Sequence, residues 1–404
     1  MLAFLTNAAI IIVPFLVIIT FIVTIHELGH FLTARACGVA VDHFSIGFGR
    51  AIFSFKDRWG VEWRLAWLPL GGYVRFAGDE NAASVPDQTD LDDLRTRIAA
   101  KEGDGAEKRY LYFKPLWQRA LVVAMGPVSN FLLAIALFAI LFTTMGEVVI
   151  QGPIASVQAG SAAAKAGFKP GDMITAADGH ALRGFEDLQD YVIYRDGVPI
   201  DFTVKRAGQL IHLEATPGKQ QVKSVFGGSQ TGGLLGVALA PQKPHIVRYD
   251  PITAIGMGAE RTWKTVETTG FYFSRIVTGG VSPDQLHGVI GTAQASGAIT
   301  KQALDDAPGD PGIQALGVIV NLVSFTALIS ITVGLVNLLP IPILDGGHLL
   351  FYAYEFVVRR PLSAGIQAAG YRVGLALLAC LLLFANVNDL HLQKVFHFFG
   401  ALFS

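Results

Sequence analysis

Apolar residues run without interruption for helix-long distances at several places along the chain. Residues 1–25 contain no Asp, Glu, Lys, Arg or His. Residues 120–146, bounded by Arg119 and Glu147, and residues 311–344, bounded by Asp310 and Asp345, are equally free of charge. A helix crossing the hydrocarbon core takes about 20 mostly apolar residues, and these three runs satisfy that outright. A fourth run, 373–388 between Arg372 and Asp389, is shorter. It reaches span length if its helix starts near Ala364 and Arg372 snorkels or faces protein. A cleaved signal peptide is the rival reading of the first run, but that run lacks a basic start and exceeds the usual apolar stretch of about 7–15 residues.

Between the spans the pattern changes. Val39–Ile46, Ala51–Phe55 and Val61–Trp67 are short, apolar and β-prone, and Gly71-Gly72 marks a turn, which predicts hairpins after Gly38. Residues 84–109, with Pro86, an Asp90-Leu-Asp92-Asp93 run and Lys108-Arg109, read as a solvated, partly disordered insertion. Residues 147–241 read as a soluble β-rich domain. It has a helix and Pro-Gly turn over 160–171, a second short helix at Phe185–Tyr191, and a hairpin about Ala207-Gly208. In Ile252–Thr278, Met257, Trp263, Val266, Phe271, Phe273 and Ile276 lie among polar residues, which suits a helix on the bilayer surface.

Composition agrees with a membrane protein: 52% of the 404 residues are hydrophobic, 16% are charged and the mean hydropathy is +0.47. A soluble domain carries about 25% charged residues. The net charge of -1 gives no electrostatic basis for nucleic-acid binding. Cys37 and Cys380 form no CxxC pair, which excludes a disulfide scaffold or a Cys-rich zinc site. Lys and Arg number 13 in residues 35–119 but only 14 in the longer stretch 147–310. Arg359, Arg360 and Arg372 lie between the third and fourth spans, and the tail after 388 has Lys394 alone. The positive-inside rule then puts the segments after spans one and three in the cytoplasm, and both termini and residues 147–310 outside.

The chemistry sits on two spans. Span one ends in His26-Glu27-Leu28-Gly29-His30. Positions i and i+4 share a helix face, so both imidazoles can point at one metal ion. Hydrolytic zinc takes three protein ligands and keeps one open position, and Glu27 is the natural base. Span three ends at the same membrane side, in Asn337-Leu-Leu-Pro340-Ile-Pro342-Ile-Leu-Asp345-Gly346-Gly347-His348. Asp345 is the candidate third ligand, or else a helix-capping Asp. Asn337 can donate an amide N–H to a substrate carbonyl, or else bond a neighbouring helix. His348 reads as structural. A transporter would show internal repeats, and none is visible. A catalytically silent adaptor would have no use for Glu27.

These motifs resemble the intramembrane site-2 zinc metalloprotease family, its bacterial regulator of sigma-E protease branch in particular. The segments Phe44–Arg50, Pro69–Arg75 and Gly126–Phe131 agree, and the similarity covers nearly the whole chain. His287–Gly291 reads HGVIG where family members more often read SGPIG. The resemblance implies a zinc endopeptidase with one Zn2+ per chain held by His26, His30 and Asp345. Glu27 would be the base and Asn337 the transition-state helper. The substrates would be single-span membrane proteins: anti-sigma-factor-like proteins trimmed by an earlier ectodomain cut, or remnant signal peptides. It further implies a β-loop re-entering the membrane, with substrate contacts at Gly47, Gly49, Gly71, Gly72, Tyr73 and Asn130. Residues 147–241 resemble a single PDZ domain of the circularly ordered bacterial type, whose peptide-binding loop corresponds to Gly233, Leu235 and Gly236.

The expected architecture is therefore a polytopic α-helical protein of the bacterial inner membrane with an inserted periplasmic PDZ domain. Its segments are 1–37 (span one), 38–119 (cytoplasmic loop with β-hairpin), 120–146 (span two) and 147–241 (PDZ domain). After these come 242–310 (amphipathic connector), 311–347 (span three), and 348–404 (a cytoplasmic-side helix, span four and a short tail). The lipid bilayer is an expected partner and nucleic acid is not.

Overall fold

A computed structural model describes residues 2–78, 88–223, 229–240, 245–279, 288–306 and 308–390. The chain divides into two units, Met1–Leu137 with Leu286–Ser404, and Phe138–Gln285. Among the described residues four helices are long and apolar enough to cross a membrane: Ala8–Ala36, Leu116–Thr144, Pro311–Asn337 and Gly365–Asp389. The chain is an integral membrane protein.

The first unit begins with helix α1 (Leu2–Ala36), which stops before Gly38 adopts a left-handed φ of 66°. Strands β1 (Val41–Lys56) and β2 (Glu62–Phe76) follow as an antiparallel pair. Both strands bend. His43–Ile46 lies opposite Glu62–Leu65 on one side and Gly72–Arg75 on the other, while Phe53–Lys56 also pairs with Glu62–Leu65. The bends fall where Gly47, Gly49 and Gly71 take φ of 88°, 89° and 152°, backbone conformations that favour glycine. The concave side buries Phe44 with Val39, Val41 and Val61 against Phe31 and Val122. The bends leave Phe48, Ile52, Phe53, Phe55 and Trp67 exposed.

Helix α2 (Gln88–Glu102) corrects the expectation of a partly disordered 84–109 insertion for the described part of that segment. Ile98 and Tyr110 are buried there, and Tyr110 donates to Glu102 at 2.7 Å. Residues 84–87 lie outside the described residues, as does His287. Helix α3 (Leu116–Thr144) then runs from the first unit into the second.

The second unit holds β3 (Glu147–Val149), β4 (Ile154–Val157), α4 (Ala162–Ala166), β5 (Met173–Ala177), β6 (His180–Ala181) and α5 (Phe185–Val192). Strands β7 (Ile200–Arg206), β8 (Gln209–Ala215), β9 (Gly218–Lys223), β10 (Ser229–Leu234), β11 (Val237–Leu239) and β12 (His245–Val247) follow. Four strands form a sheet in the order β6-β5-β7-β8; the others pair as β10-β9, β11-β4 and β12-β3. In β7 the period-two pattern is plain: Ile200, Phe202 and Val204 are fully buried between polar neighbours. Ala207 and Gly208 both have positive φ (47° and 86°), as a two-residue hairpin turn requires. Helix α6 (Pro251–Val277) is capped by Asp250, which accepts from the N–H groups of Ile252 and Thr253. Its basic side chains hold the sheet region, Arg275 bonding Asp196 and Arg261 bonding Asp190, while Ile252 and Trp263 stay exposed.

The chain returns to the first unit through α7 (Val289–Asp305), then α8 (Pro311–Asn337), α9 (Asp345–Val358) and α10 (Ala364–Asp389). Helix α7 corrects the reading of 242–310 as one amphipathic surface connector. Ala295, Ser296 and Gly297 are buried, and Ser296 Oγ reaches the Ile11 carbonyl at 3.3 Å. Small residues permit that approach: a side chain at Gly297 would collide with Ile11, and one at Gly291 with the Asp389 carboxylate. Asp389 in turn accepts the N–H groups of Gly288 (2.8 Å) and Gly291 (2.7 Å), capping α7 from another helix.

Candidate metal centre and active site

Two helix ends and one helix face build the site. His26 and His30 lie one turn apart on α1, their rings edge to face with centroids 4.8 Å apart. Asp345 opens α9. The residue at the cap position is Leu344, and no side-chain cap bond forms there, so Asp345 is not acting as a helix cap. The segment from Leu338 to Leu344 folds back tightly to deliver it. Gly346 and Gly347 lie against the carbonyls of Leu338, Leu339 and Ile341 with no room for a Cβ. The prolines leave few donors, yet Ile341 and Leu344 still donate to Leu339 (2.7 Å) and Ile341 (2.8 Å).

The third wall is α3. Val122, Gly126 and Asn130 follow at intervals of four residues and so share one face. The Val122 carbonyl accepts from His30 Nδ1 at 2.9 Å. A carbonyl can only accept, so His30 carries a proton on Nδ1, and in the neutral imidazole the lone pair is then on Nε2. A side chain at Gly126 would collide with His30 Nε2 and come within 2.9 Å of His26 Cε1. Gly29 on α1 is as tightly placed, against the Met125 carbonyl and Ser129. Asn130 is fully buried beneath His26, with Nδ2 3.2 Å from His26 Nδ1. It faces the imidazole rather than open space, which corrects its reading as a substrate contact.

Three donor atoms converge as a result. His26 Nε2 and His30 Nε2 are 3.2 Å apart, and Asp345 Oδ2 lies 3.1 Å from the first and 3.6 Å from the second. The Asp345 oxygen is buried and, apart from the two imidazole nitrogens, has no hydrogen-bond partner among the described residues. Burying a carboxylate oxygen in this way is costly unless a cation neutralises it. A tetrahedral zinc with bonds of about 2.0–2.1 Å holds its ligand atoms roughly 3.3 Å apart, the size of this triangle. The donor set fits zinc.

Glu27 is fixed from the hairpin. Its Oε2 accepts the Val74 N–H of β2 at 3.0 Å, and a Cβ at Gly72 would come within 3.4 Å of its Cγ. Thr20 adds a bond from α1 to the Pro69 carbonyl at 2.5 Å. Gly71, Gly72 and Tyr73 are thus brought beside Glu27, with Tyr73 stacked on Phe48. Gly47 and Gly49 mark the far bend. Asn337 is the last residue of α8 and is partly exposed; among the described residues it makes no hydrogen bond to the other four candidates. His348 stands apart, packed on Phe351 and Tyr371.

The sequence profile of Peptidase family M50 matches residues 14–381. The chain belongs to that family. It is 47% identical over 395 residues to Metalloprotease MmpA of Caulobacter vibrioides, covering 98% of this chain and 99% of that one. A putative zinc metalloprotease of Agrobacterium fabrum is 39% identical over 94% of this chain and 95% of its own. Regulator of sigma-E protease RseP of Salmonella typhimurium is more distant, at 30% identity over 96% and 99% of the two chains. This M50 protein is a zinc metalloendopeptidase.

Within the second unit, Gly233, Leu235 and Gly236 are all buried, and Leu235 belongs to the core with Ile154 and Phe202. A Cβ at Gly233 would collide with the Val192 carbonyl, and one at Gly236 with Ser161. These three build a groove beside α5, lined also by Phe185, Ile193 and Leu234.

Proposed function

We propose that this chain is an intramembrane endopeptidase of the bacterial inner membrane that cleaves single-span membrane proteins after an earlier cut has removed their ectodomains. Anti-sigma-factor-like proteins and remnant signal peptides are the substrate classes. His26, His30 and Asp345 hold one zinc ion. The observation that carries this reading is the buried triangle of donor atoms on apolar helices, whose carboxylate oxygen meets no partner but the two imidazoles among the described residues.

Zinc held there supplies Lewis-acid chemistry, polarising a carbonyl and making a water nucleophilic near neutral pH. Glu27 takes the proton from the attacking water and returns it to the leaving amine nitrogen. The Val74 N–H keeps that carboxylate oriented between the two transfers. Asn337 donates to the oxygen that gains charge as the carbonyl carbon becomes tetrahedral. A helical substrate satisfies its own backbone, so it must unwind before its peptide bond is accessible. The Gly71–Tyr73 segment beside Glu27 receives the unwound strand by β-addition. The exposed aromatic bends of β1 and β2 sit in the lipid interface, where such side chains are favourable.

Residues 147–241 act as a PDZ domain in the periplasm, selecting substrates by admitting trimmed stubs. Mass spectrometry of membrane fractions from cells carrying the native chain or Glu27→Gln tests the reading. Membrane stubs of single-span proteins should accumulate with Glu27→Gln. An unchanged membrane proteome would contradict it.

A further inference from the structure

Both histidines of the site lean on α3, but by different means. His30 Nδ1 meets the Val122 carbonyl, which settles its tautomer. His26 Nδ1 meets the Asn130 carboxamide, whose two ends can donate or accept. If the amide nitrogen donates, His26 carries its proton on Nε2. That hydrogen then occupies the direction of Asp345 Oδ2, and no lone pair is left for a metal. If the amide turns about its last torsion, its oxygen accepts from Nδ1–H and the Nε2 lone pair opens into the donor triangle.

We propose that Asn130 is a positioning residue for His26: its carboxamide oxygen accepts the Nδ1–H and so holds the tautomer and ring plane in which Nε2 binds zinc. This rests on the reading of His26 as a ligand. Asn130 suits the task because it is fully buried and cannot wander. Ser330 of α8 donates to its backbone carbonyl at 2.8 Å, pinning that turn of α3. Among the described residues its Oδ1 has no other partner. Outer partners of this kind commonly change metal affinity by about 10–100-fold.

Zinc affinity of the purified full chain, measured by competition with a chromophoric chelator, tests this directly. Asn130→Leu keeps the volume and removes both amide ends; its zinc affinity should fall by about 10–100-fold. Asn130→Asp offers acceptors only and should retain affinity near that of the native chain. The cobalt-substituted protein gives a second readout. Its visible absorption should be native-like in Asn130→Asp and altered in Asn130→Leu. Loss of affinity in Asn130→Asp would mean that the amide donates and would overturn the proposal, whether or not Asn130→Leu folds. Native affinity in Asn130→Leu would overturn it as well. His26→Ala in the same titration separates the two levels. If it retains zinc, the ligand assignment itself fails. If it loses zinc while Asn130→Leu does not, only the positioning role fails.

Discussion

The imidazoles of His26 and His30 fit against α3 because Gly29 and Gly126 carry no side chain where the two helices cross. His26, Glu27 and His30 declare themselves by spacing, and Asp345 by its place after an apolar run broken by Pro340 and Pro342. What spacing could not give is what surrounds them, because that depends on which faces of separate helices meet. Gly29 and Gly126 are the clearest cases. Each is a glycine in an apolar helix, and only the crossing of α1 and α3 shows that a methyl group at either would strike the other helix. Small residues within apolar spans were the available signal. Gly126→Ala should therefore lower zinc content of the purified protein by about tenfold or more while helicity by circular dichroism is retained. Gly256→Ala, where a Cβ meets open space, should keep native zinc content. Full zinc in Gly126→Ala would show that α3 does not shape the site. Leu235 illustrates the opposite error. It belongs to the buried core of its unit, so substitutions there report folding before they report peptide binding. Leu234 and Ile193, only partly buried in the same groove, are the better probes.

Among the elements, the long apolar helices were readable because charge is simply absent from them, and α10 does begin at Ala364 as its span length demands. The bent β1–β2 pair was readable as strands but not as a sheet, since pairing across a bend follows glycine conformation rather than alternation. Helices α2 and α7 were missed for contrasting reasons. The first looked polar enough to be solvated, and the second is held by capping from Asp389, which is remote in sequence. In the second unit the sheet joins the turn between α4 and β5 through a paired charge. Arg206 Nε and Nη2 donate to Asp172 Oδ1 (2.7 Å) and Oδ2 (2.8 Å), and Lys169 N–H adds a third bond at 2.8 Å. The guanidinium holds the Asp172 carboxyl below its usual range. A depressed folded-state pKa stabilises the fold above the unfolded value of about 3.9, and that contribution is lost as pH falls through the folded value. Protection factors of the β5 and β7 amides, taken relative to intrinsic exchange, should accordingly fall as the pH drops below about 4. Arg206→Met should show faster exchange already at neutral pH, where the carboxylate has lost its partner. Equal protection in both proteins at pH 7 would remove the pair from the account.

At the scale of the whole molecule, the order of segments was plain in the sequence: spans, hairpin, inserted β-rich unit, then further spans. The chain divides into two units, with α6 in the β-rich unit and α7 in the helical one. If the β-rich unit acts as the proposed PDZ domain, it can capture a new C-terminus or exclude folded ectodomains. If exclusion governs, polar substitutions at Leu234 leave cleavage of a trimmed stub within about twofold of native, and deletion of 147–241 permits cutting of untrimmed substrate. Continued rejection of untrimmed substrate by the deletion would contradict exclusion. All of this depends on hydrolysis at the donor triangle. The most direct measurement combines zinc analysis and cleavage of a single-span substrate in proteoliposomes, for the native chain and Glu27→Gln. Both should hold about one zinc, because three protein ligands are intact in each. Cleavage within the apolar segment should fall by at least the 10²–10⁴-fold or so typical of losing a general base. A Glu27→Gln protein that binds zinc and cuts at the native rate would contradict the account.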